Sequence, residues 1–288
     1  MNALVIGTAK TGTTIVASVI QKSIADARFL IEPRTIAQLD KLRRFPVPWV
    51  VKVLWEHWMD RPFLLKGIVH GETGFSPDRA IAIIRDPRDV LISALMYRAY
   101  ELVMAGASRG QVDEWLDIVR DKEANPEKYS MIDLVRHIGR IFGVGDTPDS
   151  SFETFLRYTS WIADSEARLH VLKYEDFVGG DTAPLSTYLG ISLSDDRDVD
   201  RSLERVGRTR RSGAWRAMML PEDVSYLNER YGAALAKRGY DDWNTLPARL
   251  DPAEGSDYIA RITNEAFKTR GGEDPDVHGP DRAAIPQR

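Results

Sequence analysis

The segment Ala3-Leu-Val-Ile-Gly7-Thr-Ala-Lys10-Thr-Gly12-Thr13-Thr14 constrains the chain most, because an apolar strand runs directly into a loop of small residues and then into a helical pattern. Such a loop can cradle an anion. Glycine lets the backbone approach an oxyanion closely, and the helix that follows presents unpaired N–H groups at its positive end. Gly7 and Gly12 have the spacing of the nucleotide-binding pattern G-x-x-x-x-G-K-[ST], but Thr13 stands where that pattern has lysine, and the lysine is at position 10. Phosphate binding fits this loop better than ordinary ATP chemistry.

Short apolar runs recur at 3–6, 29–31, 49–54, 80–84 and 169–172, with stretches of helical periodicity between them. This alternation predicts an α/β fold with a central parallel sheet buried on both faces by helices. A helical block at 88–167, including Val112–Val119 and Ile132–Phe142, is inserted between the fourth and fifth strands. In that position it is expected to cover an acceptor. A helix over Glu222–Arg238 closes on Gly239, and the core is expected to end near Trp243. Residues 1–243 then form one domain. Residues 244–288 form a polar tail, with a short helix around Ser256–Lys268 and a disordered end; the alternative is an ordered arm packing on the body or on a partner.

With 288 residues and 43% apolar content, the chain can bury a sizeable core. A net charge of −4 argues against a dedicated nucleic-acid partner and for a small one. The absence of cysteine excludes disulfides, thiolate ligands and a cysteine nucleophile, and the five histidines are scattered, so no metal site is expected. The start of the chain lacks a signal-peptide pattern and the run 3–6 is too short to cross a bilayer; the expectation is a cytoplasmic protein without a membrane span. A homodimer is one arrangement the sequence leaves open.

Ile83-Ile84-Arg85-Asp86-Pro87-Arg88-Asp89 leads from a strand into a helix that carries Ser93. Asp86 suits an N-cap, Pro87 the first helical position, and Asp89 a capping partner. The arginines are either surface ion pairs or, with Ser93, donors to a phosphate dianion. Arg208-Thr-Arg210-Arg211-Ser-Gly213-Ala-Trp215-Arg216 is a second basic cluster, by itself either a solvated face or a polyanion patch. Val171-Leu-Lys-Tyr174-Glu-Asp-Phe177 ends a strand on a tyrosine that could stack or donate a hydrogen bond, or simply belong to the core.

These four segments, in this order over about residues 3–243, resemble those of P-loop-type sulfotransferases that use 3′-phosphoadenosine 5′-phosphosulfate (PAPS) and release adenosine 3′,5′-bisphosphate (PAP). The resemblance implies a P-loop three-layer fold and an enzyme that moves a sulfuryl group to a hydroxyl or amine of a small-molecule or carbohydrate acceptor. It also implies that Lys10, Thr11, Gly12, Thr13 and Thr14 hold the 5′-phosphosulfate. Arg85, Ser93 and one of Arg208, Arg210 and Arg211 would meet the 3′-phosphate, with Tyr174 near the adenine. Lys52-Val53-Leu54 stands where many members have Lys-Thr-His, so the resemblance implies that Lys52 touches the sulfuryl group as a catalytic residue, while the catalytic histidine is missing. Glu32-Pro33 after the second strand resembles the glutamate base of other members; Glu32 is favoured as base and His57 is the alternative. Two other readings stay open: a nucleotide or small-molecule kinase with Asp86 at a magnesium site, and a non-catalytic nucleotide-binding protein.

Overall fold

A computed structural model describes residues 1–271 except 43–45, 166–167, 201–202, 204, 206, 208–210 and 247. Five strands, β1 (Ala3–Gly7), β2 (Arg28–Ile31), β3 (Trp49–Leu54), β4 (Arg79–Ile84) and β5 (His170–Lys173), form one parallel sheet in the order β2-β3-β1-β4-β5. Each lies within a residue of its apolar run. Because side chains alternate across a strand, Ala3 and Val5 face one layer while Leu4 and Ile6 face the other.

The first layer is made by α1 (Thr13–Lys22), α8 (Tyr174–Gly179) and α9 (Ala183–Leu189), whose Ile15, Val16, Ile20, Phe177 and Leu185 bury Val5, Val50 and Ile83. The larger layer covers the opposite face with α3 (Pro62–His70), the insertion α4 (Pro87–Met104), α5 (Arg109–Ala124), α6 (Met131–Phe142) and α7 (Ser150–Ala163), and α11 (Pro221–Ala236). A short helix, α2 (Ile36–Asp40), follows β2. The insertion stands between β4 and β5, as the sequence implies. Its helices start on strong signals: Asp86 accepts the Arg88 N–H ahead of Pro87, and Ser108 and Ser130 cap α5 and α6 in capping boxes.

The expected end of the core near Trp243 is a correction. After α10 (Trp215–Met218) and α11, helix α12 (Ser256–Gly271) packs along α4 and buries Tyr258, Ile259, Ile262 and Ala266 in the larger layer. A fully buried large apolar side chain contributes roughly 1.5–3 kcal/mol, so the helix expected around Ser256–Lys268 is present and packs on the body as an ordered part of its core. Arg270 fixes its far end by donating from Nη1 to the carbonyls of Val103 and Ala107, each at 2.9 Å. The expected disordered end lies outside the described residues.

Candidate active site

The loop Thr8–Gly12 leaves β1 at the carboxyl edge of the sheet, where parallel α/β folds place their ligands. Gly7 is required by space: a Cβ there would stand 2.4 Å from Thr13 Cγ2. Gly12 is the N-cap of α1 with φ of 84°, and a Cβ on it would fall 2.2 Å from the Tyr174 ring. No side chain caps α1, so the amides of its first turn open toward the loop without a local acceptor.

A cleft of about 610 Å³ opens over this helix end. Lys10, Gly12, Thr13, Thr14, Glu32, Lys52, His57, Arg85, Ser93, Tyr174 and Arg211 all line it, so residues spread over two hundred positions of sequence meet there. Arg208 and Arg210 lie outside the described residues. Thr11 differs from expectation, since its hydroxyl donates to the Thr8 carbonyl at 2.7 Å and its side chain is buried within the loop, away from the cleft.

Three non-glycine residues have positive φ among those described, and two of them, Lys10 at 65° and Glu32 at 52°, line the cleft. Such strain persists where surrounding contacts over-determine the backbone, and it concentrates at functional sites. Lys10 Nζ lies 3.8 Å from the Tyr97 ring centroid, which ties the loop to α4. The Glu32 N–H donates to the Lys52 carbonyl at 2.8 Å, and Lys52 Nζ donates to the Glu32 carboxylate. Lys52 is buried; Glu32 keeps about a third of its side chain exposed, at 34%.

His57 sits on a 3₁₀ turn, Trp55–Trp58, directly after β3. Its Nδ1 is buried without a partner, and burial, reinforced by Arg34, lowers its pKa against an opposing pull from Glu32. The imidazole is therefore neutral at pH 7.

Arg85 and Arg88 are both buried, so neither is a surface ion pair. Arg85 donates from Nη1 to the Lys10 carbonyl at 2.9 Å and from Nη2 to the Arg211 carbonyl at 3.2 Å, and its guanidinium lies over the Tyr174 ring at 4.6 Å. Its Nε is buried with no partner, which leaves a directed donor on a residue that borders the cleft. Arg88 is structural. It grips both oxygens of Asp86, donates to the Asp242 carbonyl and is sandwiched between Trp215 at 3.9 Å and Trp243 at 4.4 Å. Asp86 is thereby occupied, and a magnesium-site acid for a kinase is lost.

Asp89 is not the partner in its own helix's cap. Glu175 accepts the Asp86 N–H at 2.9 Å instead, and Asp89 accepts the N–H groups of Gly213 and Trp215 at 2.6 and 3.1 Å. That contact pins the end of the arginine-rich segment to the start of α4. Further anchors are Arg211 Nη1 on Glu254 at 3.3 Å and the Tyr258 hydroxyl on the Arg205 carbonyl at 2.9 Å.

Tyr97, Arg205 and Glu56 were invisible as site residues in the sequence. Tyr97 follows Ser93 by one helical turn, a spacing that places both on one face of α4; its phenol is pushed up to about 12 by burial. Arg98, Glu101, Asp146 and Ser150 also line the cleft, with Arg98 bridging Asp146 at 2.7 Å and Glu101 at 2.9 Å. Among the described residues, no group of three His, Asp or Glu side chains is arranged to hold a metal ion, and no helix is long and apolar enough to cross a membrane.

No protein-family model matches the chain, and no curated protein matches it. Among solved structures, mouse sulfotransferase SULT7A1 complexed with PAP aligns over 84% of this chain and 89% of its own, with a TM-score of 0.50 at 15% identity. The fold is a sulfotransferase fold. In this sulfotransferase fold the loop after β1 and the Arg85–Ser93 turn after β4 sit on neighbouring strands, because β1 pairs directly with β4. The five-stranded parallel sheet and the helical insertion complete the same architecture.

Proposed function

We propose that the protein is a PAPS-dependent sulfotransferase acting on a hydroxyl or amine of a small-molecule or carbohydrate acceptor. The observation that carries the proposal is the uncapped start of α1 facing the same cleft as Arg85 and Ser93, two anion-binding elements with room between them for a nucleotide. The residues fit the group: α1 offers amides without a side-chain acceptor, Gly12 permits close approach, and Arg85 Nε is an unsatisfied buried donor.

When bound, PAPS supplies the sulfuryl group and PAP as the leaving nucleotide. The first-turn amides of α1 with the Thr13 and Thr14 hydroxyls hold the 5′-phosphate, and Lys10 neutralises the charge that develops on the leaving oxygen. Arg85, Ser93 and Arg211 bind the 3′-phosphate, with Arg208 and Arg210 in the same basic segment; Tyr174 packs on the nucleoside. Glu32 takes the acceptor's proton, and Lys52 fixes its carboxylate from the next strand. His57, neutral and in the same cleft, is the alternative base. The insertion covers the acceptor, a reading supported by Tyr97, Asp146 and Ser150 of the insertion lining the cleft. A cytoplasmic location belongs to the same proposal.

Thermal shift with PAP, PAPS, AMP and ATP with magnesium tests the reading. A large shift with PAP and PAPS in the absence of metal, and a small one with AMP, is expected. Preference for ATP with magnesium would replace it with a kinase, and PAP binding without sulfuryl transfer to any acceptor panel would favour the non-catalytic reading.

A further inference from the structure

Glu56 lies beside the anion loop but not in the cleft wall. It belongs to the turn after β3, and its Oε1 accepts the N–H of Ala9, the residue before Lys10, at 2.6 Å. Its other oxygen, Oε2, is buried with no partner. A loop built to offer N–H groups to an anion thus has one of them already claimed by a carboxylate of this chain.

Two consequences follow from elementary electrostatics. The bond fixes the turn that gives Lys10 its left-handed backbone, since Ala9 can no longer rotate its amide freely. The charge, in a poorly solvated position, repels any anion that enters the loop, and such repulsion is weakly screened. We propose that Glu56 is a positioning residue of the anion loop, shaping it through Ala9 while its negative charge holds down the affinity for the anion. The inference rests on the reading of the loop as the 5′-phosphate site.

The groups facing Glu56 are Lys52 from β3, Glu32 from the end of β2, and Tyr158 from α7. Lys52 is already engaged by Glu32, and Tyr158 donates its hydroxyl to the Ile6 carbonyl at 3.0 Å, so among these partners no cation is dedicated to Glu56. Burial is the largest influence on its carboxyl and raises its pKa, with the Ala9 N–H opposing. The repulsion is therefore expressed increasingly as pH rises and is removed when the carboxyl is protonated.

The test is calorimetric binding of PAP and of inorganic pyrophosphate to the wild type, Glu56→Gln and Glu56→Ala between pH 5 and 8, with melting temperatures as a control for folding. Glutamine keeps an oxygen for the Ala9 N–H and loses the charge, so Glu56→Gln is expected to bind both ligands about tenfold more tightly than wild type at pH 8, with the gap closing toward pH 5. Ionisation of the ligand is common to both proteins and cancels in the ratio. Alanine removes the acceptor as well, and Glu56→Ala is expected to bind more weakly than Glu56→Gln. Equal or weaker binding by Glu56→Gln, or a ratio independent of pH, overturns the role of the charge; equal binding by the two variants overturns the positioning role. If pyrophosphate follows the expected pattern while PAP binds none of the proteins, the nucleotide reading fails and the inference stands; if neither ligand binds, both fall.

Discussion

Lys52 Nζ donates to the carboxylate of Glu32, so the residue just past β2 is held by a buried ammonium from within the neighbouring strand β3. One oxygen of Glu32 is thereby held in place. Glu32→Gln preserves a hydrogen bond to Lys52 but cannot accept a proton, so single-turnover sulfuryl transfer is expected to fall by about 10²–10⁴-fold while PAP binding and melting temperature stay near wild type. His57→Ala is expected to be milder. A dead His57→Ala beside an active Glu32→Gln would reverse the assignment.

Arg85→Ala is expected to weaken PAP by about 2–5 kcal/mol, the usual cost of removing one partner from a buried charged contact, and to leave AMP nearly unchanged. The comparison matters because Arg85 also braces the Lys10 and Arg211 carbonyls. Equal losses for both nucleotides, read by titration calorimetry, would make the arginine a brace and nothing more.

For Lys10→Ala, turnover is expected to suffer more than nucleotide affinity, with kcat down about 10²–10³-fold, by analogy with removal of one donor to a developing oxyanion. Tyr97, against which Lys10 Nζ rests, provides the control. Tyr97→Phe keeps the ring face and should be close to wild type. An unchanged kcat with a raised KM in Lys10→Ala would reduce the lysine to a ground-state ligand.

Asp89→Asn tests the pin between α4 and the late basic segment. The carboxylate accepts two backbone N–H groups, and an amide can accept only with its one oxygen, leaving a buried donor unmet at a cost of about 1–3 kcal/mol. Loss of melting temperature together with weaker PAP binding is the expected result. A destabilised variant with unaltered affinity would show that the segment binds no nucleotide.

Glu175 carries a pH prediction. Burial raises its pKa above the ordinary 4.5, against the opposing hydrogen bond from the Asp86 N–H. A carboxyl whose folded-state pKa is raised stabilises the fold below the unfolded pKa, and that contribution is lost as pH rises through the folded value. Glu175→Gln should therefore gain in melting temperature relative to wild type as pH rises from about 5 to 8. A difference that shrinks over this range would contradict the sign.

The strands, the loop after β1 and the turn after β4 were legible because their signals are local: apolar runs of strand length, small residues before a helix, and Asp-Pro at a helix start. Asp89 was misread for the same reason. Its local pattern is that of a cap, and its partners lie more than 120 residues away, at Gly213 and Trp215. The close of the core was misplaced because the segment after Trp243 opens with polar residues and prolines, whereas the buried stripe of α12, spaced Tyr258, Ile259, Ile262, Ala266, gains its meaning only from α4. Glu56 sits between two tryptophans with no motif around it, and only the fold brings it to Ala9.

The embrace of α4 by α12 also bears on how the protein is made. The ribosome delivers β1, the anion loop and α4 well before α12, and one flank of α4 stays uncovered until residues 256–271 have emerged. Strand β5 is likewise added only after the whole insertion. The nascent chain must therefore carry an open apolar helix face from the time α4 emerges until α12 follows it, the kind of exposed surface that invites aggregation or a chaperone.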